Sequence, residues 1–414
     1  MKFEHELSFA EYVHALGGAL HLVGGAVRDQ VMGIEPHDKD YVIVGLDVRD
    51  VPFEKIVGTD FPVFLVEVGG KKCEVAMARS EKKSGVGYHG FTFKADKTVS
   101  IFDDLARRDL TMNAMAKYIL NDRIIDPHNG IADIANGVLR HTTEAFAEDP
   151  LRVYRVARFA SQLGFRVHPK TLAFMSSMRD ELKCLKAERV WKELQKTLET
   201  NNPRRFFEVL NEANVLDVHF KEIDYLHVAD AHDGTTFNHT MNLLNMGDDP
   251  IERFGLLVHD LGKGWTGKRG VPYERGIHHG HSKHGEKMVN ALCDRLKTPN
   301  AYRDFGVICS KYHMRIKYVE MRPAKFLRMV LELKKCIRAL LRVSFIDSIT
   351  RAHNNAEYVQ ILAWWLDTKD KIELALEIER DVNGNSLIEQ GWKPNKHFGE
   401  VLFQRRVEAF KERL

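Results

Sequence analysis

The sequence predicts an α+β head built on a mixed sheet, followed by an all-α remainder. Strand-type runs are concentrated in the first 140 residues. Beyond them apolar residues recur at helical spacing and strand signals nearly vanish. A length of 414 residues suits two to four domains. In the head, His21-Leu22-Val23 reads as a short strand ending at Gly24-Gly25, and Ala26 to Met32 as a short helix stopped by Gly33. Tyr41 to Val44 and Val63 to Val68 read as further strands. Residues 79–97 hold three glycines and four lysines with little periodicity, and read as a mobile loop. Helical spacing then links Leu151, Val156, Phe159 and Leu163; Val190, Leu194 and Leu198; and Phe206, Val209 and Leu210. The expected divisions are a head at 1–140, a helical neck at 141–205, a helical body at 206–350 and a helical tail at 351–414. The tail is apolar in part (Trp364-Trp365, Leu374, Leu376), with turns at Gly384 and Gly391.

Composition excludes several classes. The chain is 44% hydrophobic and 29% charged, ordinary for a globular protein. Sixty-one basic and 58 acidic residues leave only +3, so net charge alone does not argue for nucleic acid. Local charge says more: between 311 and 345 stand Lys311, Arg315, Lys317, Arg322, Lys325, Arg328, Lys334, Lys335, Arg338 and Arg342, opposed by Glu320 and Glu332. Such a stretch is either a surface that tracks phosphates or a solvated helix face. Five widely spaced cysteines without a CxxC pair suit reduced thiols in a cytoplasm and argue against a thiolate zinc site. The acidic opening residues have no apolar h-region, and no run approaches 18 apolar residues, so neither a secretory signal nor a membrane span is expected.

The first chemical pattern is Leu22-Val-Gly-Gly-Ala-Val-Arg28-Asp29 followed by Asp38-Lys-Asp40-Tyr-Val-Ile-Val. A strand, a Gly24-Gly25 turn and a helix present free N–H groups to a phosphate, and glycine permits close approach. Residues i and i+2 of a strand point the same way. Asp38 and Asp40 would therefore lie side by side, and two such carboxylates repel unless a cation lies between them. Mg²⁺ takes carboxylates together with phosphate oxygens, and a metal pair can align an attacking hydroxyl with a leaving pyrophosphate. The bland alternative is a surface turn at 37–40, which the apolar run after it disfavours. Glu74, on an expected neighbouring strand, is the candidate third acid. Arg107-Arg108-Asp109-Leu-Thr-Met-Asn113 adds two guanidinium forks suited to a triphosphate, against the alternative of an ordinary charged helix start.

The second pattern is Glu148-Asp149-Pro150-Leu-Arg152-Val-Tyr-Arg155-Val-Ala-Arg158. Asp149 before Pro150 is a strong helix-start signal in its own right, with Asp149 as N-cap. It leaves Arg152 and Arg155 unexplained. A carboxylate only accepts hydrogen bonds and a guanidinium only donates them. Asp149 with Arg152 would thus match the amino donor and ring-nitrogen acceptor that cytosine and adenine share. Uracil and guanine present the reverse and would leave buried groups unpaired.

In these segments, with Ser80 to Phe93, Asp126-Pro-His-Asn-Gly130 and Ala187-Glu-Arg189-Val-Trp-Lys-Glu193, the chain resembles the class II tRNA nucleotidyltransferases, and among them the bacterial CCA-adding enzymes that carry an HD domain. The resemblance runs from about residue 20 to 300 and weakens afterwards. It implies a nucleotidyltransferase head with catalytic Asp38 and Asp40 and Mg²⁺ on both, beside Glu74 as the candidate third acid of the residue reading. It implies nucleotide contacts drawn from Gly24, Gly25, Arg28, Arg107, Arg108, Asp109, Asp149, Arg152, Arg155 and Arg158, with Asp149 and Arg152 as a protein template. It further implies that the segment at 79–97 is a lever switching the pocket from C to A, and that the partners are tRNA, CTP and ATP, in a monomer or homodimer. Poly(A) polymerases share head and neck, and an enzyme adding only the terminal A is a further alternative.

The third pattern is His239, His259-Asp260-Leu-Gly-Lys263 and His278-His279-Gly-His281-Ser-Lys-His284. Histidine and aspartate on separate helices can converge on a transition metal such as Ni²⁺, whose bound water could hydrolyse a phosphoester. The candidate ligands are His239, His259, Asp260 and His279, with Asp347 as the far aspartate. The spacing resembles the HD phosphohydrolases, which implies phosphatase, 2′-nucleotidase or 2′,3′-cyclic phosphodiesterase activity. Three function classes follow: a polymerising enzyme, a phosphohydrolase with an inactive head, and a tRNA-binding scaffold.

Overall fold

The computed structural model describes residues 1–53, 55–57, 63–83, 91–94, 96–228, 230–231, 234–268, 280–317 and 321–414. The chain forms two compact units, Met1–Val218 and His219–Leu414. No helix among the described residues is long and apolar enough to cross a membrane.

The first unit carries a mixed sheet of β1 (Lys2–Phe3), β2 (Ala19–Val23), β3 (Asp40–Val44), β4 (Lys55–Val57), β5 (Val63–Val68), β6 (Lys71–Met77), β9 (Ala116–Tyr118) and β10 (Arg123–Ile125). Their order is β1-β5-β6-β3-β2-β9-β10, with β4 on β5. β3 runs parallel to β6 and antiparallel to β2. Alternation along β3 sorts its side chains onto two faces. Tyr41 and Ile43 join a core with Phe9, Val13, Leu22 and Val75, packed under α1 (Glu6–Ala15). Val42 joins a second core with Val23, Ala78, Ile101 and Leu105, which includes α3 (Ile101–Ala106). Asp40 shares the parity of Val42, so it belongs to the face that α3 covers. α2 (Gly25–Val31) follows β2 directly and gives way at Gly33, whose φ is +72°, close to the expected bounds.

The segment at 79–97 differs from the expected loop. Residues Ser80–Lys83 (β7) and Phe91–Lys94 (β8) pair antiparallel, Ser80 opposite Lys94. A backbone ladder needs no apolar period, and Phe91-Thr92-Phe93 has strand preference of its own. The residues between, 84–90, lie outside the described residues.

α4 (Gly130–Ala135) leads to a short parallel pair, β11 (Val138–Leu139) with β12 (Arg166–Val167). The 126–130 motif is a cap: the Asp126 carboxylate accepts from Gly130 N at 2.7 Å and Ile131 N at 2.9 Å. α5 (Leu151–Leu163) is almost wholly buried and ends at Gly164, in the left-handed region. After α6 (Pro169–Ser177) and α7 (Arg179–Leu182), α8 (Ala187–Leu198) and α9 (Arg204–Glu212) pack on α5 through Val190, Trp191 and Leu194, and through Phe206 and Phe207. α9 therefore belongs to the first unit, past the expected division at 205.

α10 (Leu216–Asp224), kinked at Phe220, continues the chain into the second unit. That unit holds a small hairpin of β13 (Asp230–Ala231) and β14 (Gly234–Thr235). Its helices are α11 (Thr236–Leu244), α12 (Pro250–Val258), α13 (Leu261–Lys268), α14 (His281–Leu296), α15 (Asn300–Tyr312), α16 (Pro323–Glu332), α17 (Ile337–Ile349), α18 (Asn355–Asp381), α19 (Gly384–Glu389) and α20 (Phe398–Arg413). Ile372, Ala375 and Ile378 of α18 and Val407 and Phe410 of α20 share one core with Leu327, Leu340 and Val343. Body and tail are thus packed as one apolar mass. Four of the ten basic residues at 311–345 are held in ion pairs: Lys317 with Asp347, Lys334 with Glu379, Arg338 with Glu373, and Arg342 with Glu252. The acids that meet Lys334 and Arg338 stand on α18, far along the chain and invisible to a local charge count.

Candidate active site

The start of β3 and the start of α5 open onto one cleft of about 640 Å³, lined by Gly24, Gly25, Arg28, Asp38, Asp40, Arg107, Arg108, Asp109, Asp149, Arg152, Arg155 and Arg158 among others. Ten of the head and neck positions singled out from sequence as nucleotide contacts therefore face the same space. Its walls hold nine basic and four acidic side chains, an excess that suits a polyphosphate.

Asp40 opens β3, opposite Val23 on one side and Glu74 on the other. Asp38 lies in the bend before the strand and is exposed. The expected i, i+2 strand pairing thus begins one step late, although both carboxylates line the cleft. Lys39 points the other way: Glu6 accepts from its ammonium at 2.8 Å and from the Tyr41 hydroxyl at 2.5 Å. That anchor behind the sheet excludes a simple solvated turn. Burial raises the Asp40 carboxyl, Glu74 and Asp38 push it further up, and Arg108 opposes them. A carboxyl raised by neighbouring acids in this way fits a hard divalent cation such as Mg²⁺. Glu74 neighbours Asp40 in the sheet but does not line the cleft, and the three acids do not bring ligand atoms within 4.8 Å of one another.

The arginines are held by acids, of which sequence reasoning passed over Asp104. Asp104, fully buried, accepts from Arg107 through Oδ1 (2.6 Å) and from Arg108 through Oδ2 (2.9 Å). Burial would raise this carboxyl, but Arg108 and Arg107 outweigh it and bring it down to about 2. An Asp three and four residues before an Arg pair on a helix was the available signal. Asp109 accepts from Arg155 at 2.8 Å and from Asn113 at 3.1 Å, and Asn113 accepts from Arg28 at 3.1 Å. Burial would raise Asp109, yet Arg155 and Asn113 hold it far below the usual carboxylate range. Asp109 is thus a support for Arg155 and, through Asn113, for Arg28. Arg158 donates to Glu193 at 2.6 Å and lies over the Phe159 ring, which Arg28 and Arg155 also approach. Gly24 has φ +68°, and a Cβ there would stand 2.9 Å from Arg108 Nη1, so the turn needs glycine twice over.

Asp149, expected as the N-cap, is extended and sits one residue before the cap, which Pro150 occupies. Its Oδ1 accepts from Leu151 N at 3.0 Å and its Oδ2 from Arg189 at 2.8 Å. Arg152 donates to the Ala145 carbonyl. Asp149 and Arg152 thus face one cleft, each already held in place by another part of the neck.

The head matches the family described as Poly A polymerase head domain over residues 20–140, and the neck matches the Probable RNA and SrmB- binding site of polymerase A over 164–226. Solved structures share the fold along nearly the whole chain. A CCA-adding enzyme in complex with CTP superposes with TM-score 0.64 at 19% identity, covering 97% of this chain and 88% of that one. The Bacillus stearothermophilus CCA-adding enzyme in complex with CTP gives 0.63 at 24% identity, covering 98% and 92%. The Thermotoga maritima CCA-adding enzyme complexed with tRNA gives 0.58 at 19% identity, covering 97% and 92%. The head thus carries a domain family named for poly(A) polymerases, and the chain shares the fold of CCA-adding enzymes along nearly its whole length. That head family takes its name from poly(A) polymerases and the fold matches are CCA-adding enzymes, so the comparisons leave the product open.

The second unit holds a separate polar cluster. His239, His259, Asp260 and Asp347 are buried with ligand-type atoms within 4.8 Å of one another. His239 Nε2 lies 2.9 Å from Asp347 Oδ1, and His259 Nε2 lies 3.3 Å from Asp260 Oδ2. Four helices supply them: α11, the α12–α13 junction and α17. His279 lies outside the described residues; His281 and His313 stand in the cluster instead. Lys263, Lys317 and Arg351 approach the two carboxylates. His313 lies 53 residues past His259-Asp260, too far for a spacing motif to suggest it.

Proposed function

We propose that the protein adds C, C and A to the 3′ end of tRNA from CTP and ATP without a nucleic-acid template. The observation that carries this reading is one cleft holding Asp38, Asp40, the arginine array and the Asp149–Arg152 pair together. Arg28, Arg107 and Arg108 would hold the triphosphate, their forks already aimed by Asn113 and Asp104. Asp149 would accept from the exocyclic amino group and Arg152 donate to the ring nitrogen shared in position by cytosine and adenine. Each Asp149 oxygen keeps a second lone pair beyond the bonds to Leu151 N and Arg189. Mg²⁺ held by Asp38 and Asp40 would activate the tRNA hydroxyl and neutralise the leaving pyrophosphate. Free thiols throughout the chain suit a cytoplasmic setting.

The test is incubation of purified protein with tRNA lacking its 3′ end and each NTP in turn. CTP followed by ATP should be incorporated, UTP and GTP refused, and Asp38→Ala should abolish the reaction. Long A-tails on any RNA would favour the polymerase reading, and A alone a terminal-A enzyme.

A second reading is favoured by the buried cluster of the second unit: a divalent transition metal on His239, His259, Asp260 and Asp347, serving phosphoester hydrolysis. Turnover of p-nitrophenyl phosphate with Ni²⁺ should vanish in Asp260→Ala while nucleotide addition persists. Retained turnover in that variant would sink it.

A further inference from the structure

Asp38 and Asp40 are held less directly than the arginines around them. Arg28, Arg107, Arg108 and Arg155 each donate to a side chain of the head. Among the described residues, no hydrogen bond or ion pair holds the carboxylate of Asp38 or Asp40. Asp38 lines the cleft and also a second cavity of about 470 Å³, which Glu6, Lys39 and Tyr41 line as well. A side chain bordered by two cavities has little packing to fix it.

The residues that alternate with the two acids are held instead. Lys39 and Tyr41 point away from the cleft and reach a single oxygen. Glu6 Oε1 accepts from Lys39 Nζ at 2.8 Å and from the Tyr41 hydroxyl at 2.5 Å. Burial would raise the Glu6 carboxyl, but the bonds from Lys39 and Tyr41 bring it below its ordinary value. Both bonds therefore end on a charged acceptor, the stronger kind.

Glu6 is itself fixed, because it is the first residue of α1. Phe9, Ala10 and Val13 bury that helix in the core that Tyr41 shares. The Tyr41 ring stands edge-on to Phe9, centroids 5.8 Å apart. β3 is thus tied to α1 twice, by the polar bonds at Glu6 and by the ring contact. The match to the head family begins at residue 20, after α1.

We propose that Glu6 is a positioning residue for nucleotide addition: by holding Lys39 and Tyr41 on one oxygen, it keeps Asp38 and Asp40 at the separation that binds Mg²⁺. This rests on the proposed Mg²⁺-dependent reaction and deepens it. Two neighbouring carboxylates repel, so without the tether the bend that carries Asp38 swings away from Asp40. Glu6 touches neither nucleotide nor metal, and acts through the backbone of 38–41. Loss of such an outer partner lowers metal affinity or activity by about ten- to a hundredfold.

Glu6→Gln in the full-length chain keeps the side chain's shape and removes its charge. Mn²⁺ binding is followed by electron paramagnetic resonance, the head site being the one that Asp38→Ala lacks. Mn²⁺ at that site should bind about tenfold more weakly in Glu6→Gln, and the Mg²⁺ needed for half-maximal CTP addition should rise about tenfold. KM for CTP should stay within about twofold, since Asp104 and Asn113 still aim the arginines. Tyr41→Phe keeps the ring in the core and should weaken Mn²⁺ binding in the same direction. The double variant should match Glu6→Gln alone, since Tyr41 acts through that carboxylate. A merely structural loss lowers the folded fraction, and with it kcat, without moving either metal midpoint. Unchanged midpoints in Glu6→Gln overturn the proposal whatever happens to kcat, as does a wild type with no Asp38-dependent Mn²⁺ site. A wild type that binds Mn²⁺ there but adds no nucleotide overturns the proposed reaction instead, and the Mn²⁺ shift still decides the role of Glu6.

Discussion

Asp104→Asn removes one charge from a carboxylate that touches no substrate in the proposed reaction, yet it should weaken both the fold and the nucleotide site. The wild-type carboxyl is fully buried and divides its oxygens between Arg107 and Arg108. Moving it from its ordinary 3.8 to about 2 corresponds to about 2 kcal/mol of folding stability at neutral pH. For a unit of this size that is a fall of about 4–8 °C in melting temperature. The transition to follow by calorimetry is the one that CTP shifts upward. The sign is that of a depressed carboxyl: its stabilisation is present above pH 4 and is lost as pH falls from there through about 2. The gap between wild type and variant should therefore be full at pH 7 and close in acid. With Arg107 and Arg108 no longer held together, the KM for CTP should also rise about tenfold, roughly 1.4 kcal/mol of binding. An unchanged melting temperature at pH 7 would refute the account of Asp104 as the support of the pair.

Gly24→Ala should cost about 1–2 kcal/mol in backbone strain and displace Arg108, lowering kcat/KM at least tenfold; steady-state kinetics with CTP check it. Arg189→Ala frees Asp149 Oδ2 and should raise UTP misincorporation more than it lowers CTP turnover, read from competing-nucleotide assays. Gly262→Ala should lower the melting temperature of the second unit by several degrees, because its Cβ would stand 1.9 Å from the His281 carbonyl oxygen; calorimetry checks it. Arg338→Ala should change stability by under about 0.5 kcal/mol, since its pairing with Glu373 is solvent-exposed; a thermal shift of several degrees would contradict that.

The sequence by itself determined the mixed α/β head, the helical remainder and the candidate residues of the cleft, because each is a local matter. Alternating apolar residues mark β3 and β5, glycines mark the turn at 24–25 and the stop at 33, and acid–base chemistry singles out Asp38, Asp40, Asp149 and Arg152. It also placed His239, His259 and Asp260 together through their side-chain types. What only the tertiary structure decided is who holds whom. Asp104 beneath two arginines, Arg189 on Asp149, and Asn113 between Asp109 and Arg28 depend on packing across tens of residues, and no local period encodes that. The same holds for the basic stretch at 311–345, where Lys334 and Arg338 are paired by acids on a distant helix. His313 reaches Asp260 only because Gly262 and Gly285 let three helices close on one another. Residue type reports the chemistry a side chain is capable of. Helix approach and burial determine which of those side chains meet, since only desolvated neighbours at ligand distance feel one another strongly.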